Sequence, residues 1–280
     1  MKIAQIKLLV TDLDNTLYDW LGFFVPSFYA MIRVAAPIIG LTEDDILAEF
    51  KEVNTANGNT EKPFALLDLP SVKNRFGNLS VPEQKMKLDE AFHEFNRVRK
   101  RTLSLYEGVS ETLTQIKSSG AIIVAHTDAH VHNAVFRMRS LGLTETITRL
   151  YAPIASDSLV DKDLLSDEFV YALPASDRKP NPRVLLDICE RHNVEPRRTL
   201  YVGDSLIRDI AMAKKAGTHS AYAEYGSRSS PDLWKQLVRV THWSEEAAKK
   251  EKTSNEPEIQ KVPDAVLSSF PDILGYFSFE

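Results

Sequence analysis

The sequence is poor in cysteine, in excess positive charge and in long apolar runs, and each shortage argues against a class of protein. Cys189 is the one cysteine among 280 residues, so the chain forms no internal disulfide, which fits a reducing compartment. The formal net charge of −5 argues against a nucleic-acid polymer as partner, because such binders usually present a basic stripe. No uninterrupted apolar stretch approaches ~18 residues, so we expect no membrane partner. The opening run, MKIAQIKLLVTD, reaches its carboxylates too early for a cleavable signal peptide, and we expect a cytoplasmic protein.

Short apolar runs recur between amphipathic segments along much of the chain. Runs of this length that are rich in valine, isoleucine and tyrosine predict strands buried on both faces. They are IKLLVTD, AIIVAHTD, RLYAP, TLYVGDS and SAYAEY. Most segments between them have helical spacing; in one, Val109, Leu113 and Ile116 share a face and Gly120 stops the helix. Strands that alternate with helices predict an α/β fold with a parallel sheet, whose ligand crevice lies at the carboxyl ends of the strands.

Residues 19–104 interrupt this alternation. The segment contains no convincing strand, but it contains helix signals. Thr42 precedes one helix, and Ser80 with Glu83 forms a capping box before another. We therefore predict a small all-helical domain over residues 19–104.

The remaining residues, 1–18 and 105–280, are predicted to form the α/β core. Within this core, residues 226–262 form an insertion that is charged and low in apolar content. Its run SPDLWKQL is predicted to form one helix, whereas a solvated helix or a disordered loop is the interpretation that we favour for the charged run SEEAAKKEKTSNEPEIQK.

Carboxylate, hydroxyl and ammonium side chains occur at the ends of several predicted strands. In chain order they are Asp12, Asp14, Thr127, Lys179, Asp204 and Asp209. Side chains two apart on a strand point the same way, so the first two carboxylates repel each other unless a cation or a shared proton lies between them. Each residue also has an ordinary structural explanation: a turn, a helix cap, a solvated lysine or a charge at a helix N-terminus.

Four motifs in order make the sequence resemble the haloacid dehalogenase superfamily of phosphohydrolases. They are DLDNT, the strand IIVAHT that ends in threonine, KPNP and GDSLIRD, and the resemblance covers roughly residues 5–225. It implies a Rossmann-like three-layer α/β/α core with a small helical cap of the family's first type, in the position of residues 19–104. It also implies an enzyme, a phosphatase that hydrolyses phosphoric monoesters.

The resemblance assigns a role to each of the strand-end side chains. Asp12 would be the nucleophile that becomes an aspartyl-phosphate, and Asp14 would protonate the leaving alcohol and later activate water. Thr127 and Lys179 would bind the phosphate oxygens. Mg²⁺ would be held by Asp12, the backbone carbonyl of Asp14, Asp204 and Asp209, the last of these directly or through water.

The small cap implies a small phosphorylated metabolite as the substrate. The run DLDNTLY is similar to the branch that contains pyrimidine 5′-nucleotidases, and phosphoglycolate phosphatases share the same layout. A nucleotide 5′-monophosphate is therefore one candidate substrate. The oligomeric state is not indicated by the sequence.

Three other functions stay open at this point. A 2-haloacid dehalogenase is disfavoured by Asp14, because hydrolysis of a carbon–halogen bond needs no leaving-group acid. A phosphomutase uses the same acid and nucleophile. A non-catalytic binding protein on a retired hydrolase fold is disfavoured because no motif residue is lost.

Two local features bear on the site. His126, His130 and His132 fall within seven residues and suggest a metal site, but without ordered ligand spacing we favour a solvent-facing helix start. Asn15 stands where glycine is frequent in the first motif. Because asparagine tolerates left-handed backbone angles, we expect the turn to be kept.

Overall fold

The computed structural model describes residues 2–62, 64–154, 168–228, 230–241 and 262–280. The strands in these ranges are β1 (Gln5–Ile6), β2 (Leu8–Thr11), β3 (Ile122–His126), β4 (Arg149–Pro153), β5 (Val170–Leu173), β6 (Thr199–Gly203), β7 (His219–Ala223), β8 (Ala265–Leu267) and β9 (Ser278–Phe279). The α-helices are α1 (Trp20–Ile39), α2 (Glu43–Asn57), α3 (Pro70–Phe76), α4 (Val81–Lys87), α5 (Asp89–Thr102), α6 (Val109–Ser118), α7 (Val131–Ser140), α8 (Pro182–Arg191), α9 (Ala211–Ala216), α10 (Glu224–Ser227), α11 (Pro231–Val238) and α12 (Ile273–Tyr276).

Seven strands form one parallel sheet in the order β5-β4-β3-β2-β6-β7-β8, and β1 pairs separately with β9. β2 lies between β3 and β6, with Thr11 beside Ala125 and Val202. The segments that follow these three strands therefore leave the sheet at the same edge. The predicted parallel α/β fold is confirmed. The short runs of β5 and β8 were not predicted and extend the sheet at its two edges.

The sheet is buried on both faces. Leu8 and Val10 belong to an apolar cluster that includes side chains of α8 and α9. The central strands β2, β3 and β6 also contain Leu9, Ile123 and Leu200, and each of these side chains is at most 1% exposed. Because successive strand residues point to opposite faces, the central strands need cover on both sides, as in a three-layer Rossmann-like core.

The chain divides into two compact units. The described residues of 2–19, 104–228 and 262–280 form the unit that contains the sheet, and those of 20–103 and 230–241 form the other. In its described part, the second unit is built from helices and contains no strand. Residues 230–241, which the sequence pattern places in the insertion of the core, group with the helical unit because α11 packs against α1. Residues 242–261 of that insertion lie outside the described residues.

The helix signals of the second unit act as the sequence predicts. The Thr42 hydroxyl accepts a hydrogen bond from the amide of Asp45, whose carboxylate accepts the Thr42 amide at 3.3 Å. Ser80 and Glu83 form the second capping box, at the start of α4. Two orphan donors at each helix start are satisfied in this way.

Helix α1 supplies most of the aromatic core of the helical unit. Trp20 stacks on Phe24 at 5.0 Å between ring centroids, and Phe28 meets Phe50 edge-on at 4.8 Å. By length and composition α1 is apolar enough to cross a membrane, with a mean hydropathy of 1.5 over 18 residues. That window is 61% buried, and buried core helices pass the same test, so the helix is weak evidence for a span. The expected absence of a membrane partner stays a prediction.

Candidate active site

The chain turns sharply after β2, and this turn carries both aspartates of the DLD run. The amide of Asp12 donates to the Val202 carbonyl at 2.8 Å, which continues the pairing with β6. Asn15 then has a φ of 57°, and its amide donates to the Tyr18 carbonyl at 2.8 Å. Asparagine enters this left-handed region more readily than most residues, so the turn forms without glycine, as predicted.

Asp12 is buried in contact with a cation. Its Oδ1 accepts a hydrogen bond from Lys179 Nζ at 2.5 Å, and Thr16 Oγ1 donates to its Oδ2 at 3.4 Å. Burial raises the pKa of Asp12 well above the ordinary carboxyl value; Lys179 opposes that shift, and Asp209 and Asp204 reinforce it. One ammonium therefore does not offset the negative charge that is concentrated here.

Lys179 lies in the loop that precedes α8, and its side chain bridges the carboxylates of Asp12 and Asp209. Its Nζ lies 2.9 Å from Asp209 Oδ1 as well as against Asp12. Burial lowers the pKa of Lys179, but the negative charges of Asp12 and Asp209 outweigh burial. The resulting pKa of Lys179 lies well above the ordinary lysine value. The Lys179 amide donates to Asp128 Oδ1 at 3.1 Å, which ties this loop to the segment after β3. The side chain is thus a fixed positive charge.

The GDSLIRD run places two more carboxylates beyond β6. Asp204 follows Gly203 directly, and Asp209 lies in a π-helical turn, Leu206–Ile210, where its Oδ2 accepts the Ser205 amide at 3.0 Å. The Asp209 carboxylate packs directly on Gly203. A Cβ at position 203 would lie only 2.4 Å from Asp209 Cγ. This close approach explains the glycine of the motif.

These residues fit a divalent cation. Asp12, Asp204 and Asp209 each offer a carboxylate oxygen, and the three oxygens lie within 4.8 Å of one another. Mg²⁺ prefers oxygen ligands, and buried carboxylates need a compensating charge. The donor set therefore agrees with the predicted metal.

The three histidines do not form a metal-binding group within the described ranges. His126 is buried, with its Nδ1 3.3 Å from the Tyr201 hydroxyl. His130 Nε2 lies 3.5 Å from Arg178 Nη2, and His132 is exposed on α7. The exposure of His132 agrees with the favoured interpretation of a solvent-facing helix start.

Thr127 lies directly after β3, at the sheet edge where the motif predicts it. It is buried, its amide donates to the Tyr151 carbonyl at 3.1 Å, and its Oγ1 accepts the Ala129 amide at 3.1 Å. These bonds hold Thr127 to neighbouring backbone rather than to Asp12 or Lys179. Its contact with phosphate stays a prediction.

Asp14 is not part of the three-carboxylate group. Its Oδ1 accepts a hydrogen bond from Arg137 Nη1 of α7 at 2.8 Å. Burial raises the pKa of the nearby Tyr18 well above its ordinary value, and the negative charge of Asp14 adds to the shift. The sequence analysis did not identify Arg137 as a site residue. The available signal was a charged residue on the same helix face as the apolar Ala134 and Met138, which are buried.

A short helix after β7 braces the aspartate turn and was also not predicted. The Tyr225 hydroxyl donates to the Thr16 carbonyl at 2.6 Å. A Cβ at Gly226 would lie 1.7 Å from the Asn15 carbonyl oxygen. In the sequence, this contact is indicated only by the glycine in the run AEYGS. The need for glycine there becomes clear only when the fold places α10 against the turn.

Comparisons with known proteins agree with this geometry. A family model described as haloacid dehalogenase-like hydrolase matches residues 6–217. An N-acetylmuramic acid 6-phosphate phosphatase from Pseudomonas aeruginosa is 28% identical over 250 residues, which cover 86% of this chain and 93% of the relative. A phosphoglycolate phosphatase from Mannheimia succiniciproducens is 27% identical over 231 residues, covering 80% of this chain and 88% of the relative. A HAD phosphatase structure from Thermococcus onnurineus has a TM-score of 0.55 at 14% identity, covering 96% and 97% of the two chains, and shows the fold alone.

The family match confirms the resemblance inferred from the four motifs. Together with the phosphatase relatives, it confirms the predicted enzyme class, a phosphatase acting on phosphoric monoesters. It does not single out the nucleotidase branch. Because the family model spans most of the chain and the motif aspartates and lysine meet at one sheet edge, the chain belongs to the haloacid dehalogenase-like hydrolase family.

Proposed function

We propose that the chain is a Mg²⁺-dependent phosphomonoesterase that acts through an aspartyl-phosphate on Asp12. The observation that carries the proposal is the contact of buried Asp12 with Lys179 inside a group of three carboxylates. A nucleophile, a fixed cation for phosphate and cation-binding oxygens thereby occupy one edge of the sheet. Phosphoryl transfer depends mainly on such positioning and charge neutralisation.

In the first step, a carboxylate oxygen of Asp12 forms a bond to phosphorus, and the bond from phosphorus to the leaving oxygen breaks. The Asp14 carboxyl gives its proton to that leaving oxygen. Lys179 and Thr127 hold the phosphoryl oxygens; Lys179 Nζ is only 2.5 Å from Asp12 Oδ1, so it faces the group that becomes attached there. The products of this step are an alcohol and an aspartyl-phosphate.

In the second step, a water oxygen forms a bond to phosphorus, and the bond from phosphorus to Asp12 breaks. The ionised Asp14 takes the water proton, which restores both aspartates and releases inorganic phosphate. Asp12, Asp204, Asp209 and the backbone carbonyl of Asp14 would hold Mg²⁺. When bound, Mg²⁺ neutralises charge on the phosphoryl oxygens.

The substrate is proposed to be a small phosphorylated metabolite. The relatives support this class, since they are named for N-acetylmuramic acid 6-phosphate and phosphoglycolate. A nucleotide 5′-monophosphate rests on the run DLDNTLY alone. We also retain the expected cytoplasmic location, with which the single free cysteine agrees.

The test is release of inorganic phosphate from a panel of sugar phosphates, phosphoglycolate and nucleotide 5′-monophosphates, with Mg²⁺ and with chelator. Asp12→Asn is the reaction variant. Asp187→Asn is the matched control, because Asp187 is a half-exposed carboxylate of α8 that pairs with Arg191. We expect Mg²⁺-dependent turnover in the native and control proteins and at least a 10³-fold loss in Asp12→Asn.

Three results would change the proposal. Equal activity in the native protein and Asp12→Asn would exclude Asp12 as the nucleophile. Isomerisation of a sugar phosphate without phosphate release would identify a phosphomutase. Inactivity of the native protein on every substrate, with and without Mg²⁺, would favour the non-catalytic binding protein.

A further inference from the structure

Among the described residues, one lysine and one arginine are buried, and each contacts one aspartate of the DLD run. Lys179 is 9% exposed and contacts Asp12, whereas Arg137 is 3% exposed and contacts Asp14. Lys179 belongs to one of the four motifs, but Arg137 belongs to none of them. A guanidinium stays charged in folded proteins and is costly to bury without a partner. The carboxylate of Asp14 lies in direct contact with the buried charge of Arg137 and offsets it.

The backbone around Asp14 is already fixed by the turn. Asp14 forms a β-bridge with Tyr18, and the Tyr18 carbonyl accepts the Asn15 amide at 2.8 Å. With the backbone held, rotation of the side chain decides where the Asp14 carboxylate lies. The 2.8 Å bond from Arg137 removes that freedom.

Helix α7 is a rigid support for this bond. Val131, Ala134 and Met138 on the same helix are fully buried. A catalytic group is held more accurately by a partner on a packed helix than by one on a loop. Arg137 therefore holds the Asp14 carboxylate in one orientation from a fixed position on α7.

We propose that Arg137 is a positioning residue that holds Asp14 in place for both proton transfers, an inference that rests on the proposed function. Arg137 bonds Oδ1 of Asp14, which leaves proton transfer to Oδ2. Asp14 has to reach the leaving oxygen in the first step and the attacking water in the second. A displacement of about 1 Å is enough to slow such steps by about 10²-fold.

The inference predicts a dependence on the leaving group. A nitrophenolate leaves without a proton, so the attack of Asp12 on 4-nitrophenyl phosphate does not need Asp14. An alkoxide needs the proton from Asp14 in the first step. The second step needs Asp14 with either substrate, because water has to lose a proton.

The experiment is rapid-mixing kinetics of Arg137→Met with 4-nitrophenyl phosphate and with a small alkyl phosphate. With the aryl substrate we expect about one equivalent of nitrophenolate per enzyme, released within about 3-fold of the native rate, and then a steady rate about 10²-fold below native. With the alkyl substrate we expect single-turnover cleavage to fall about 10²-fold. Arg139→Met is the matched control, since Arg139 is an exposed arginine of the same helix, and it should behave as native.

A double-mutant cycle tests whether Arg137 acts through Asp14. Asp14→Asn should show the same rapid release of one equivalent of nitrophenolate, the aryl burst. Adding Arg137→Met to Asp14→Asn should change neither the burst rate nor the alkyl cleavage rate by more than about 2-fold. Arg137→Lys should recover part of the alkyl rate, because it keeps a cation on α7. If Arg137→Met does not fold, Arg137→Gln replaces it, and we expect a smaller loss with the same dependence on the leaving group, because glutamine keeps a donor but is shorter than arginine and uncharged.

The inference is overturned if Arg137→Met lowers the aryl burst and the alkyl rate equally, which is the result of structural damage. It is also overturned if all rates stay native, or if the Arg137 effect persists undiminished in Asp14→Asn. Failure of the proposed function looks different: the native protein releases no phosphate, or Asp12→Asn equals it. The two failures are therefore distinguishable.

Discussion

Asp12 and Asp14 are two residues apart in the chain, but their carboxylates have different surroundings. Asp12 is buried among Asp204, Asp209 and Lys179, so its charge is crowded by like charges. Asp14 lies outside this group, with its side chain 23% exposed, and it is paired with Arg137. The fold gives the two carboxylates of one short run different surroundings, which agrees with the different roles that we propose for them.

The raised pKa of Asp12 predicts that this residue lowers the stability of the metal-free protein. Its folded pKa lies above its unfolded value of 3.8, so its contribution to stability is present below pH 3.8 and is lost as the pH rises through the folded pKa. Asp12→Asn removes the charge, and we expect it to raise the free energy of unfolding by about 1–2 kcal/mol at pH 7.5. The measurement is urea unfolding of the chelated protein.

The pH dependence is the internal check on this prediction. The advantage of Asp12→Asn should shrink as the pH falls toward 4, because protonation of the folded Asp12 carboxyl removes the same buried charge that the substitution removes. Asp187→Asn, which changes a half-exposed carboxylate, should not differ from native by more than about 0.5 kcal/mol. A variant less stable than native at pH 7.5 would show that the contact with Lys179 outweighs burial.

His126 has the opposite linkage to pH. Burial lowers the pKa of His126 well below 6.5, and the nearby Lys179 lowers it further. Its contribution to stability is therefore present above pH 6.5 and is lost as the pH falls through the folded pKa, at up to about 1.4 kcal/mol per pH unit. His126→Gln should lose less stability than native between pH 7.5 and pH 5.0 in urea unfolding. His132→Gln, on the exposed side of α7, should keep the native slope.

At the scale of elements, α10 acts through its contact with the aspartate turn. Gly226→Ala would place a Cβ 1.7 Å from the Asn15 carbonyl oxygen, a backbone atom that cannot move without shifting Asp14. We expect a loss of about 1–3 kcal/mol in stability, as for overpacked sites, together with lower kcat. Thermal unfolding and phosphate release measure the two effects.

Gly275→Ala is the control for this contact. Gly275 is in α12, and a Cβ there would have no neighbour within 4 Å. Alanine favours helix over glycine, so this variant should be neutral or more stable by up to about 1 kcal/mol. Equal losses at both glycines would argue against a steric role for Gly226.

The elements that the sequence predicts well are those with local causes. The capping boxes at Thr42 and Ser80 depend on residues three apart, and the strand end at Gly203 depends on a buried run followed by a carboxylate. Short edge strands β5 and β8 have too few residues to show a period. The Arg137 contact with Asp14 and the contact of Gly226 with Asn15 join residues far apart in the chain, and no local pattern indicates them.

At the scale of the whole molecule, the site exists only in the folded chain. Its aspartates come from the turn after β2 and the segment after β6, and Lys179 comes from the loop before α8. The order of the motifs predicted this convergence, because parallel strands bring their carboxyl ends to one edge. Four aspartates there face two buried cations, Lys179 and Arg137, so the folded protein concentrates negative charge that the unfolded chain disperses.

A ligand that binds only the folded state raises its stability, so Mg²⁺ should raise the Tm of the chelated protein. The gain follows the ratio of Mg²⁺ to its Kd and reaches about 2.7 kcal/mol at a hundredfold excess. Asp204→Asn removes one of the three grouped carboxylates and should shift the Mg²⁺ dependence of Tm to higher concentration by at least about 10-fold. Asp264→Asn is the control, because Asp264 pairs with Lys214 and lies outside the grouped carboxylates. An unchanged Tm in the native protein, or equal shifts in Asp204→Asn and native, would show that the grouped carboxylates do not bind the metal.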